Sequence, residues 1–246
     1  MITDFLKAVI LDFDGTIADT RSLIVSTMQQ TIKELTLPER SDSCCAAMIG
    51  LPLKQSFITL LNVDDATADV CTATYRRIFA ENNRPGAVRV FPNVIETIRA
   101  MHSAGLTVTI ASSRSHASLA AFTEEMRLSD NITYMLGGDD VAKAKPEPDM
   151  VMKTLADNRL RPEEAVVVGD TVFDIAMGRA AGVATVGVTY GNGHREDMEK
   201  EGADWIIGDF GLLRPVPADA VQTDSGRGGD ALITVDGAGN CLLKRR

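Results

Sequence analysis

The sequence contains no run approaching the roughly twenty apolar residues that a membrane-spanning helix needs, so no transmembrane segment is expected. A secretory signal is not expected either. The apolar stretch from Phe5 to Phe13 is broken by Lys7 and Asp12, and no basic segment precedes it. Cysteine is scarce, with Cys44, Cys45, Cys71 and Cys241 only. The adjacent Cys44 and Cys45 lack the spacing of a zinc-binding pair, and the four do not form the framework of a small disulfide-rich secreted domain. Reduced thiols and a cytoplasmic location follow as expectations. Basic residues are in the minority, and the formal net charge is −9. That charge disfavours nucleic acid and anionic membrane as partners. It also requires any phosphate site to be locally basic or metal-loaded. No internal repeat is visible.

What is present fits a globular chain. Hydrophobic residues make up 45% and charged residues 24% of 246 positions, a length suited to one large α/β domain or to a domain carrying a smaller insert. Ala8 to Leu11 is wholly apolar and reads as a strand buried on both faces. Leu23, Ile24, Thr27, Met28, Thr31, Ile32 and Leu35 then recur at helical spacing. Apolar stripes of helical type continue to about Pro85, and no convincing strand lies between Thr20 and Arg89. After Pro92, strands and helices alternate. Strands are expected at Leu106–Ala111, Thr133–Leu136, Ala165–Val168, Ala184–Val188 and Trp205–Ile207, with helices between them, one of them at Asp174–Ala181. Gly105 and Gly182 sit where helix-terminating glycines belong. The expected fold is α/β: a doubly wound, Rossmann-like parallel sheet with an inserted α-helical cap. The expected division is a core of residues 1–19 and 88–214, a cap of 20–87 and a tail of 215–246. In the tail, Val221 to Asp230 reads as a linker, and Ala231 to Lys244 as either a β-hairpin or a disordered end.

Three strand ends carry acids or hydroxyls, at the edge where open α/β sheets bind ligands. Asp12 and Asp14 are two apart at the end of the first, so both carboxylates face one crevice. A divalent cation such as magnesium, which takes hard oxygen ligands, would relieve their repulsion. Asp170 and Asp174 follow Val166-Val167-Val168-Gly169 and could complete a metal shell, although Asp174 also suits a helix cap. Ser112 follows Thr109-Ile110-Ala111. It can donate to a phosphate oxygen at a helix N-terminus, or simply cap the Ser115 helix. Lys145, held before Pro146, has a restricted backbone and could bring an ammonium among the carboxylates. Lys143 reads as a solvated loop lysine.

In this order, D-x-D-G-T, strand-Ser, K-P-x-P-D and G-D-x-x-x-D resemble the haloacid dehalogenase superfamily of phosphatases. The helical insert after the first motif is similar to that superfamily's helical cap. Gly182 to Gly191 and Ala203-Asp-Trp-Ile-Ile are similar to its phosphoglycolate phosphatase group. The resemblance implies a magnesium-dependent phosphatase acting on a small phosphoglycolate- or sugar-phosphate-like monoester. Asp12 would be nucleophile and metal ligand. Asp14 would be acid and then base, with its carbonyl on the metal. Ser112, Ser113, Lys145, Gly15 and Thr16 would bind the phosphoryl group. Asp170 would be a metal ligand, supported by Asp174. The second motif departs from the group's usual Thr-Asn-Lys, reading Ser112-Ser113-Arg114, which leaves the substrate open and makes Arg114 either a substrate contact or a surface residue. Ile49 to Lys54 is expected to reach the site, with Lys54 either binding a distal acidic group or solvated.

Rival readings are a pyrophosphatase or nucleotidase, a mutase, a dehalogenase and a non-catalytic binding module. The similar β-phosphoglucomutases carry a cap histidine ten residues after the second aspartate of the first motif. Here that position is Ile24, which can neither donate nor accept a proton. A dehalogenase would not need metal-binding acids, and a binding module would be expected to have lost Asp12, Asp14 or Lys145. A monomer or homodimer is expected.

Overall fold

The computed structural model describes residues 3–84, 86–220 and 231–245. The linker reading of Val221 to Asp230 lies outside them. In chain order the elements are β1 (Thr3–Leu6), β2 (Ala8–Leu11), β3 (Ala18–Asp19), α1 (Arg21–Glu34), α2 (Asp42–Ala46), α3 (Leu53–Leu61), α4 (Asp65–Asn82) and β4 (Arg89–Val90). They continue with α5 (Val94–Ser103), β5 (Thr107–Ala111), α6 (His116–Glu125), β6 (Tyr134–Leu136), α7 (Asp149–Asp157), β7 (Ala165–Gly169), α8 (Val172–Ala180), β8 (Ala184–Val188), α9 (Arg195–Glu201) and β9 (Trp205–Ile207). The chain ends with β10 (Val216–Pro217), β11 (Ala231–Val235) and β12 (Cys241–Arg245).

Six strands form a wholly parallel sheet in the order β6-β5-β2-β7-β8-β9. A strand covered on both faces must be apolar at every position, and β2 and β7 are buried throughout. Their side chains alternate between two cores. Val9, Leu11, Val166 and Val168 join one cluster, while Ala8, Ile10, Ala165 and Val167 join the other. Leu11 is in register with both Ile110 and Val168. The chain therefore leaves β2, β5 and β7 at one edge, just before Asp12, Ser112 and Asp170.

The helices α1 to α4 build a separate core from Ile24, Met28, Ile32, Phe57, Leu60, Cys71 and Tyr75, among others. Local signals set their ends: Asp64 accepts from the Thr67 amide at the start of α4, and Asn62 ends α3 in the left-handed region. A short antiparallel pairing of β3 with β4, Ala18 opposite Val90 and Asp19 opposite Arg89, joins this helical unit to the sheet.

Two segments differ from the sequence expectation, and a third decides between two readings left open. Residues Thr3–Leu6 form a strand that sequence inspection does not separate from β2. Helix α8 starts at Val172, two residues before the expected Asp174, because the Asp174 carboxylate reaches back to the Thr171 amide and hydroxyl. The tail is a true hairpin. Its turn is tied by the Asp236 carboxylate, which accepts from the amides of Ala238 and Asn240. With β1 and β10 it makes a second, four-stranded sheet in the order β1-β12-β11-β10. Ala231, Ile233, Cys241 and Leu243 alternate inward and join the main core.

Ile233 is fully buried, so Ile233→Ala should destabilise the protein by about 2–4 kcal/mol. Urea unfolding measures this, and a loss within about 0.5 kcal/mol, the size of an ordinary surface change, would show that the hairpin is not part of the core.

Candidate active site

The loop after β2 turns sharply, with the Ile17 and Ala18 amides both donating to the Phe13 carbonyl. Gly15 permits the turn at φ +91°, where any Cβ would collide with the Asp170 carboxylate. Asp12 lies at the sheet edge, its amide donating to the Val168 carbonyl at 2.9 Å. Carboxylate oxygens of Asp12, Asp170 and Asp174 all come within 4.8 Å of one another. Lys145, 1% exposed, donates to Asp12 and, at 2.6 Å, to Asp174. Asp170 is bound by neutral donors: the Asn192 amide at 2.6 Å and its side chain at 3.0 Å, with Thr16 Oγ1 at 3.5 Å. Ser112 is buried at the end of β5. Ser113 donates to the Gly50 carbonyl at 2.6 Å, linking the core to the loop before α3.

Buried charge dominates the electrostatics. Burial pushes the Asp12 carboxyl up to about 7; Lys145 opposes the shift, and Asp174 and Asp14 add to it. Burial also raises Asp170 well above the usual carboxylate range, reinforced by Asp12 and Asp174. For Lys145 burial acts downward, but Asp12 and Asp174 outweigh it and hold the ammonium above the ordinary lysine range. The three clustered carboxylates and one ammonium leave two negative charges in surroundings that penalise charge. An all-oxygen donor set with that residual charge fits a hard divalent cation.

Asp14 corrects the expectation that four acids converge. Its carboxylate stands outside the cluster and meets Arg114, whose Nε lies 2.9 and 2.8 Å from the two carboxylate oxygens. Thr20 donates to the same group at 2.6 Å. Arg114 is not a surface residue. Its side chain is 9% exposed, and its guanidinium lies 4.8 to 5.6 Å from the ring centres of Phe122, Phe79 and Phe13. Lys54 is not in the site: it lies at the surface, partly exposed, and pairs there with Asp65 and Asp69 on α4. Sequence reading passed over Asn192 and Thr20. Asn192 could have been found, since it lies in Gly191-Asn192-Gly193 just after the apolar strand β8, at the same sheet edge.

A family profile described as haloacid dehalogenase-like hydrolase matches residues 9–188. The chain belongs to this family. Among relatives of this hydrolase, the Dickeya dadantii protein named "Probable phosphatase IndB" is 37% identical over 82% of this chain and 88% of its own length. A phosphoglycolate phosphatase from Pseudomonas putida is 24% identical over 87% of this chain and 80% of its own. A solved structure from Bacteroides fragilis, named as a candidate haloacid dehalogenase-like hydrolase, superposes with a TM-score of 0.79 at 25% identity, covering 84% of this chain and 98% of that one.

In this hydrolase a cavity of about 360 Å³ opens between the sheet edge and the helical unit. Asp12, Asp14 and Ser112 to Ser115 line it from below; Ile24, Met28, Ile49 to Leu51, Tyr75 and Phe79 line it from above. Of the Ile49–Lys54 segment expected to reach the site, Ile49, Gly50, Leu51 and Leu53 line the cavity.

An acid whose folded pKa lies above its unfolded value binds more protons when folded, so its contribution to stability falls as pH rises. With Asp12 raised from 3.8 to about 7, the chelated protein should melt higher at pH 6 than at pH 8. Magnesium should raise the melting temperature more at pH 8, because the cation competes with those protons. Scanning fluorimetry with EDTA or magnesium at both pH values tests this, and an equal magnesium shift at the two would count against a cation on these carboxylates.

Proposed function

We propose that this hydrolase is a magnesium-dependent phosphatase that cleaves a small-molecule phosphate monoester through an aspartyl-phosphate on Asp12. The observation that carries this reading is the buried set Asp12, Asp170, Asp174 and Lys145 beneath a cavity that also presents Asp14. A bound magnesium, held by Asp12, Asp170 and the Asp14 carbonyl with Asp174 behind, would neutralise charge on the phosphoryl oxygens. Gly15, Thr16, Ser112, Ser113 and Lys145 complete the phosphoryl-binding surroundings; phosphoryl transfer asks mainly for such positioning and charge stabilisation.

The sequence of steps follows from the residues. An Asp12 carboxylate oxygen attacks phosphorus, and the bond from phosphorus to the ester oxygen breaks. Protonated Asp14 gives its proton to the departing alkoxide. Asp14, now ionised, takes a proton from water as that water attacks phosphorus, and Asp12 is released with inorganic phosphate. Asp14 accepts from Arg114 and Thr20, an arrangement that supports its acting as acceptor in the water-activating half. Ile24 lines the cavity and has no proton to exchange, which supports hydrolysis over phosphoryl return to a second hydroxyl.

Residues 20–87 act as the cap over the core of 1–19 and 88–214. No helix among the described residues is long and apolar enough to cross a membrane, and we place the enzyme in the cytoplasm as a monomer or homodimer. A pyrophosphatase of Anoxybacillus flavithermus, 27% identical over 82% of this chain and 92% of its own, makes a diphosphate substrate the second reading.

Asp12→Asn keeps the side-chain volume and deletes the nucleophile. Turnover of every phosphate ester should fall by roughly three or more orders of magnitude, with the circular dichroism spectrum unchanged. Chelation should abolish wild-type turnover, and magnesium should restore it. An Asn variant retaining more than a few per cent of the rate would exclude the covalent route.

A further inference from the structure

The cap side of the cavity bears on what is attached to the phosphate. Ile24, Met28, Met48, Leu51, Leu53 and Phe79 face it, and none offers a polar side chain. Two aromatic rings line one wall, Tyr75 stacked on Phe79 at 5.7 Å and 23°, with buried Phe57 edge-on to Tyr75 at 6.1 Å behind them. Phe79 in turn lies 5.0 Å from the Arg114 guanidinium. The Ser56 hydroxyl is committed to the carbonyls of Met48 and Pro52. Tyr75 supplies one hydroxyl to this wall.

Charge is equally sparse there. Among the described residues, the cations that line the cavity are Arg114 and Arg76. Arg114 is committed to Asp14 and Ser118, and Arg76 is exposed to water. Lys54 is neutralised by Asp65 and Asp69. A second anionic group on the substrate would meet no buried cation on the cap wall, and burying an unpaired charge is strongly unfavourable. On the cap wall a sugar's hydroxyls would find polar side chains only at Tyr75, Arg76 and the committed Ser56.

On these grounds we infer that the leaving group is a neutral, largely apolar alcohol, flat enough to lie along Tyr75 and Phe79. The inference rests on the phosphatase reading and separates this enzyme's substrate from the phosphoglycolate of its named relatives. The two rings and the apolar roof are the specificity determinants. The ester is cleaved as already described, the alcohol leaving with the proton from Asp14.

The test compares kcat/KM, at saturating magnesium, for benzyl phosphate, phosphoglycolate, glucose 6-phosphate and pyrophosphate. The first two release primary alcohols, so they differ mainly in what the cap must accommodate. Benzyl phosphate should lead phosphoglycolate by about tenfold or more, the scale set by burying one ring's apolar surface. Met48→Lys places a cation in the roof and should narrow or reverse that ratio; Leu51→Lys serves if the first variant does not fold. Phosphoglycolate, glucose 6-phosphate or pyrophosphate matching or exceeding benzyl phosphate in the wild type would overturn the inference and leave the phosphatase reading standing. Turnover of none of the four would remove that reading and the inference together.

Discussion

Lys145 is a cation almost without access to water, and its ammonium is held between the carboxylates of Asp12 and Asp174. Three segments distant in sequence meet at this point: the end of β2, the loop before α7 and the start of α8. Desolvating an ion costs several kcal/mol even after relaxation, so the arrangement persists only with all partners in place. Removing Lys145 would leave like charges facing one another in a low-dielectric site. On the proposed mechanism the same crowding that makes the site costly would make it reactive, since Asp12 and Lys145 are held in one geometry before any substrate arrives.

The sheet supplies the rigidity this requires. A parallel sheet buried on both faces brings β2, β5 and β7 into fixed register, so Asp12, Ser112 and Asp170 arrive at one edge together. Close approach among the loops then depends on missing side chains. A Cβ on Gly15 or Gly191 would strike Asp170, and one on Gly169 would strike Asp174. These glycines bring neighbouring backbone right up to the acids, and for Gly15 the positive φ adds a conformational reason.

The strands of this sheet were legible because burial on both faces leaves an unbroken apolar run, and Ala8–Leu11, Ala184–Val188 and Trp205–Ile207 begin and end where the residues suggest. The clustered acids were legible because each follows such a run. β1 was not: Lys7 separates it from β2, Phe5 is half exposed, and its partner β12 lies at the other end of the chain. The tail's alternation was visible, but its inward residues make sense only against a core that the sequence does not display. Residue type misleads most where distant groups decide. Arginine is usually a surface residue, yet Arg114 is enclosed by Phe13, Phe79, Phe122 and Asp14. Lysine near a cleft suggests a ligand, yet Lys54 is satisfied by two aspartates of the next helix.

Arg114 also joins two parts of the molecule. Phe79 belongs to α4, in the helical unit over the site; Phe13 sits between the two aspartates of the first loop. The guanidinium touches both rings while its fork holds Asp14. A continuous line of contact therefore runs from Phe57 through Tyr75, Phe79 and Arg114 to the Asp14 carboxylate. A leaving group packed against Tyr75 and Phe79 bears on the same line. How well it fits then affects the position of the acid and base as well as the strength of binding. Interactions of that kind act on the transition state more than on the ground state. On the proposed reading, recognition would therefore be expressed in the chemical step, because the wall proposed to select the alcohol also contacts Arg114, which holds Asp14.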